Sequence, residues 1–135
     1  MKVVLDTNVF VAGLLTSGAA AKVLDLWFAR RFDVLTSEAQ LAEIRRVLQT
    51  KFSKEVPHLD RARLLARLRK AAIMVQPRTA PNLSPDPDDN LILAVALEGK
   101  ADALVTWDKA DLLKLKVKGL RITSVKPFLK GMLGR

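Results

Sequence analysis

The sequence predicts an α/β fold, a three-layer α/β/α arrangement around a central parallel sheet of about five strands. Short apolar runs such as VVL and ALV recur between longer stretches with helical spacing. These runs are apolar without alternation, the mark of strands buried on both faces, and such strands belong to parallel sheets covered by helices. Turn-forming residues separate the segments, and no internal repeat or dividing linker interrupts them, so residues 1–135 are read as one domain.

In chain order, Lys2–Leu5 reads as the first strand, and Val9–Leu15 as a short helix stopped by Ser17-Gly18. A second helix is expected from Ala19 to Arg30, with Val23, Leu24, Trp27 and Phe28 on its apolar side. Trp27 is read as core or a subunit contact. Phe32–Thr36 follows as a strand. Ser37 with Gln40 has the spacing of a capping box, starting a helix to about Thr50 with the stripe Leu41, Ile44, Val47 and Leu48. Pro57 breaks a polar connection that also holds the lone histidine, His58, read as surface. Asp60 is the expected cap of a helix to Ala72, with Arg63, Arg67 and Lys70 along one face. Ile73–Gln76 is a short strand, and Pro77–Pro87 an irregular loop. Asp86 and Pro87 then have the form of an N-cap and first helical residue, and Gly99 that of a C-terminal stop. Ala103–Thr106 and Leu120–Thr123 complete the strands, with a turn or short helix at Leu112-Leu113 and a last helix over Lys126–Leu133.

Composition narrows the chemistry. The chain carries a net charge of +9. The charge is uneven: residues 45–70 hold nine Lys/Arg against two acids and residues 109–135 hold eight against one, whereas residues 71–108 hold two against six. A basic surface around an acidic patch suits a polyanion held over a metal site. No cysteine is present, which removes disulfides and thiolate metal ligands and agrees with a cytoplasmic location. The N-terminus has no signal-peptide pattern, and the longest apolar run, Leu91 to Leu97, is too short for a membrane span.

The acids cluster where ligands bind. In parallel sheets that place is the carboxyl edge of the strands. Asp6 follows the first strand directly, and Asp108 comes two residues after the fourth. Asp89 shares a helical face with Ile92, Leu93 and Ala96, which turns it toward the sheet. Taken singly, each acid has a structural explanation: Asp86, Asp88 and Asp89 suit a helix N-terminus, Asp108 could cap a turn, and Glu43 could pair with Arg46. Together, carboxylates in one crevice repel unless a cation lies between them. A histidine-free oxygen site fits Mg²⁺ or Mn²⁺ and phosphoryl chemistry. By helix geometry alone Glu38, in the first turn, is nearer the strand edge than Glu43, which lies about 9 Å from the helix start.

The segments VVLDTNVFVAGL, SEAQLAEIRRVL, DPDDNLILAVALEGKADALVTWDKADLL and ITSVKPFL, in this order and spacing, resemble the PIN-domain ribonucleases, in particular VapC-like toxins of toxin–antitoxin pairs. The resemblance covers nearly the whole chain. It implies a PIN-like fold and a Mg²⁺- or Mn²⁺-dependent endoribonuclease that leaves a 5′-phosphate, with an antitoxin partner and a homodimer. By position the catalytic quartet would be Asp6, Glu43, Asp89 and Asp108. Asp6, Asp89 and Asp108 would hold the metal, Glu43 the attacking water, and Asn8, Thr106 and Asp86 would support them. Trp107 departs from the family, whose relatives usually carry Gly or Arg there; its ring could stack an RNA base or pack against the loop. A non-catalytic RNA-binding PIN domain, or a housekeeping RNA-processing nuclease in place of a toxin, is the alternative. A phosphatase of the Asp-x-Asp type is disfavoured because position 8 is Asn.

Overall fold

The computed structural model describes residues 1–134 apart from 53, 56, 57 and 108. Five parallel strands form its centre: β1 (Lys2–Leu5), β2 (Asp33–Thr36), β3 (Ile73–Met74), β4 (Ala103–Thr106) and β5 (Arg121–Ser124), in the order β3-β2-β1-β4-β5. Seven helices lie among the described residues: α1 (Thr7–Leu15), α2 (Ala19–Phe28), α3 (Glu38–Lys51), α4 (His58–Ala71), α5 (Pro87–Glu98), α6 (Ala110–Leu113) and α7 (Val125–Leu133).

The strand pleat divides the core into two layers. Val3, Leu5, Val34, Ala103 and Val105 face α1, α2, α3, α4 and α7. Val4, Leu35 and Leu104, one residue out of phase, face α5 and α6. Both faces are therefore dry, which is why these strands are continuously apolar. The expected three-layer α/β/α architecture is the one observed.

On the larger face Trp27 is core, edge-on to Phe10 with ring centroids 6.0 Å apart and stacked on Phe28 at 4.7 Å. The Arg67 guanidinium lies 4.0 Å above the Phe28 ring, so one member of the expected basic stripe also covers apolar surface. Helices α1 and α2 meet at 98°. Gly13 permits their approach, since a Cβ there would fall 2.5 Å from Leu24 Cδ1. No helix among the described residues is long and apolar enough to cross a membrane.

Several element ends differ from expectation. Helix α4 starts at His58, so Asp60 lies inside its first turn and does not precede it; the break assigned to Pro57 falls outside the described residues. Strand β3 has only two residues, both exposed on the sheet edge, against the four expected. Helix α2 ends at Phe28, two residues early, and Arg30 takes the left-handed conformation. At the end of α5 the left-handed residue is Lys100 (φ 54°), not Gly99. The Ala101 N–H donates to the Ala96 carbonyl at 2.8 Å and the Lys100 N–H to Leu97 at 3.3 Å, a Schellman closure. Gly99 is needed instead for space, because a Cβ would sit 2.6 Å from Leu35 Cδ1.

Candidate active site

The strand order reverses between β1 and β4, the crevice where open parallel sheets bind ligands. Asp6 and Thr106 occupy that point. Leu5 and Val105 are in register, and the Asp6 N–H donates to the Val105 carbonyl at 2.9 Å. The Thr106 hydroxyl donates to Asp6 Oδ2 at 2.8 Å, and both residues are buried. Asp6 stands at the N-cap of α1 but makes no side-chain cap bond, which leaves its carboxylate facing the crevice. Its second oxygen, Oδ1, is buried with no hydrogen-bond partner among the described residues. Burial pushes the Asp6 carboxyl above the usual aspartate range and the charge of Asp89 adds to this, against the opposing pull of Lys109 and Thr106.

Helix α5 brings Asp89. Asp86 caps the helix, accepting from the Asp88 N–H at 2.9 Å. Asp89 is 1% exposed. It accepts from the Ser84 hydroxyl on Oδ2 at 3.0 Å and from Lys109 Nζ on Oδ1 at 3.1 Å. Asn90 fastens the preceding loop, accepting from the Leu83 and Ser84 N–H groups and donating to the Ser84 carbonyl. The nominally irregular loop is thus pinned where it meets the site.

Helix α3 brings Glu43 and separates it from Glu38. Glu38 forms an exposed two-pronged ion pair with Arg69. Glu43 is half-buried and lies within the field of Asp6. Burial raises its carboxyl above the usual glutamate range, and Asp88 and Asp6 raise it further; Lys109 and the Thr7 hydroxyl oppose them. That hydroxyl is buried beside Glu43 without a well-formed hydrogen bond. Gln40 sets the helix position. Ser37 does cap the Gln40 N–H at 3.1 Å, but the Gln40 side chain does not close the expected capping box. It reaches inward, donating to the Leu5 carbonyl at 2.6 Å and accepting from Thr36 at 2.5 Å. The carboxyl ends of β1 and β2 are thereby tied to the first turn of α3, three residues before Glu43.

Thus Asp6, Glu43, Asp89, Asp86 and Thr106 are brought to one edge. Asn8 is exposed and makes no side-chain hydrogen bond to a described residue; Thr7 is the neighbour that faces the acids. Asp108 lies outside the described residues. Trp107 is 38% exposed and lines a cleft with Thr106, Ser124 and Lys126. Four participants were not anticipated: Lys109, Gln40, Thr7 and Ser84. Only Lys109 carried a signal, as a base immediately following an acidic segment.

The fit to a divalent cation can be judged on the donors. Among the described residues no three acids or histidines enclose a metal by themselves. The accessible donors are carboxylate oxygens, as a hard cation requires, and the orphaned Asp6 Oδ1 is a buried anion lacking a counter-charge on that atom. The residues present fit such an ion.

Comparison with known proteins agrees with this geometry. Residues 2–110 match the PIN domain family model, and the chain belongs to the PIN-domain family. PIN domains are generally nucleases and generally use divalent metal ions. The chain is 36% identical over 119 residues to the uncharacterized protein MJ1680 of Methanocaldococcus jannaschii, covering 86% of this chain and 76% of that protein. In fold it is similar to a chain from the crystal structure of VapBC2 from Rickettsia felis bound to a DNA fragment from their promoter. That match has a TM-score of 0.62 at 18% identity, over 92% of this chain and 98% of the other. It is also similar to PAE2754 from Pyrobaculum aerophilum, with a TM-score of 0.58 at 17% identity, over 100% and 91% of the two chains.

Proposed function

We propose that this PIN-domain protein is a Mg²⁺- or Mn²⁺-dependent endoribonuclease, acting as the toxin of a toxin–antitoxin pair. The observation that carries the reading is the buried Oδ1 of Asp6 at the β1/β4 switch point, unpartnered among the described residues, with Asp89 and Glu43 each close enough to Asp6 for their charges to interact. The fold likeness to a VapBC2 chain supports an antitoxin partner, and a homodimer belongs to the same proposal.

When bound, the metal ion polarises a phosphate oxygen and lowers the pKa of an attacking water. Asp6 and Asp89 would hold it, with Asp108 assigned by the sequence motif. Thr106 donates to Asp6 and Ser84 to Asp89, which would hold both carboxylates in place for the ion. Glu43, with its raised proton affinity and partial burial, is suited to accept the proton of the attacking water. Substrate would be gripped outside this centre. The exposed Trp107 beside Lys126 offers a stacking surface for a base. Arg45, on the rim of a groove of about 590 Å³ between α3 and α4, offers a charge to a phosphate.

The test is digestion of total RNA with Mg²⁺ or Mn²⁺, with cut ends mapped, comparing the parent with Asp6→Asn and with Asp6→Asn/Asp108→Asn. Metal-dependent internal cuts with 5′-phosphate ends, lost in both variants, are expected. Equal cutting by the variants refutes the site. Binding of RNA by the parent without cutting supports a non-catalytic RNA-binding domain.

A further inference from the structure

Lys109 places an ammonium inside the acidic cluster. Its side chain is 25% exposed, and Nζ lies 3.1 Å from Asp89 Oδ1 and 3.8 Å from Asp86 Oδ2. Two of the four carboxylate oxygens of Asp6 and Asp89 accept hydroxyl hydrogen bonds, Asp6 Oδ2 from Thr106 and Asp89 Oδ2 from Ser84. Of the other two oxygens on these residues, Asp6 Oδ1 has no hydrogen-bond partner among the described residues and Asp89 Oδ1 has Lys109. A divalent ion held by Asp6 and Asp89 would compete with the lysine for the Asp89 carboxylate.

We infer that Lys109 is a built-in counter-ion, which neutralises Asp89 and Asp86 in the metal-free protein and is displaced from Asp89 when a divalent cation binds. The inference rests on the metal-centre reading above. Like charges gathered in a crevice destabilise the fold unless a cation is among them. A lysine suits a removable cation, being a compact charge on a flexible four-carbon stem. Lys109 precedes the short helix α6 and is not locked within a long one, so its side chain can leave without disturbing β4 or α5. The consequence is a competition. The lysine keeps the empty site folded and lowers its affinity for metal by the same contacts.

The experiment measures Mn²⁺ binding in the absence of RNA, by calorimetry or from the electron-spin resonance of free Mn²⁺. Lys109→Met is expected to bind Mn²⁺ at least about tenfold tighter than the parent, a difference of ~1.4 kcal/mol. Lys109→Arg keeps the charge and should bind no tighter than the parent. Lys114→Met removes one charge from an exposed turn and should leave the affinity within about twofold, since an exposed charge is screened. In chelator, Lys109→Met should melt below Lys114→Met, with the gap closing at saturating Mn²⁺ by mass action. If the Met variant does not fold without metal, Lys109→Gln serves in its place. Equal or weaker Mn²⁺ binding by the Met or Gln variant, while the parent binds in an Asp6-dependent way, overturns the counter-ion and leaves the metal centre standing. Mn²⁺ binding by the parent that is unaffected by Asp6→Asn overturns both.

Discussion

Gln40 is the side chain on which the spacing of the site most depends, and Gln40→Leu is the sharpest test of that. The substitution nearly conserves volume, so no large cavity confuses the outcome. It removes the bond to the Leu5 carbonyl at 2.6 Å and the bond from Thr36 at 2.5 Å, both inside the protein. A buried polar group left without its partner costs about 1–3 kcal/mol. Two such groups come to about 2–6 kcal/mol, part of which Leu recovers by burying apolar surface. A net loss of about 3 kcal/mol should lower Tm by roughly 10 °C in a chain of this length. The assay is urea and thermal unfolding followed by circular dichroism in chelator. Thr36→Val in the Gln40→Leu background removes one of the orphaned groups, so the double variant should be more stable than the two single losses added together. A Gln40→Leu loss below about 0.5 kcal/mol, or strict additivity with Thr36→Val, refutes the role given to this side chain.

Two further expectations concern the acids. Glu43→Gln should reduce metal-dependent RNA cleavage by about 10²-fold or more, in the range of general-base losses, whereas Glu38→Gln should leave it unchanged because Glu38 is occupied by Arg69 on the surface; rates measured side by side decide between them, and equal losses would return Glu38 to the site. Asp6 and Glu43 have carboxyls held above their ordinary values of 3.8 and 4.5, so in the metal-free protein the folded state binds protons more tightly than the unfolded state. Their contribution is therefore complete below those ordinary values and is lost as pH rises through the raised ones. In chelator, Asp6→Asn should gain stability relative to the parent as pH is raised from about 4 toward neutrality. A gap that stays constant across urea melts at successive pH values would contradict the crowding of charge around Asp6.

Much of this arrangement is legible in the sequence because its causes are local. Lys2–Leu5 and Ala103–Thr106 are strands with the expected bounds, since continuous apolar runs announce burial on both faces. Asp86-Pro87 starts α5 as expected, because capping and the fixed proline φ are properties of neighbouring residues. The strand-end position of Asp6 and the inward face of Asp89 follow from period alone. The family membership rests on the same motifs, now with residues 2–110 matched to the PIN domain family.

What the tertiary structure decided are the choices between equal local options. Gln40 has the spacing of a capping box, yet the buried Leu5 carbonyl offers it a partner that water cannot replace. Gly99 has the composition of a left-handed stop, yet the closeness of Leu35 decides its place and the left-handed turn passes to Lys100. Glu38 and Glu43 lie on one helix, and only the packing of α4, which supplies Arg69, and the field of Asp6 separate a surface acid from a site acid. Lys109 belongs by sequence to a basic tail. By structure it is the cation among the carboxylates, because β4 ends beside β1 and the chain must pass the crevice on its way out. Asp6 shows the division most plainly. Its place at a strand end is written in the first six residues, whereas its orphaned oxygen exists only because residues about a hundred positions away close around it.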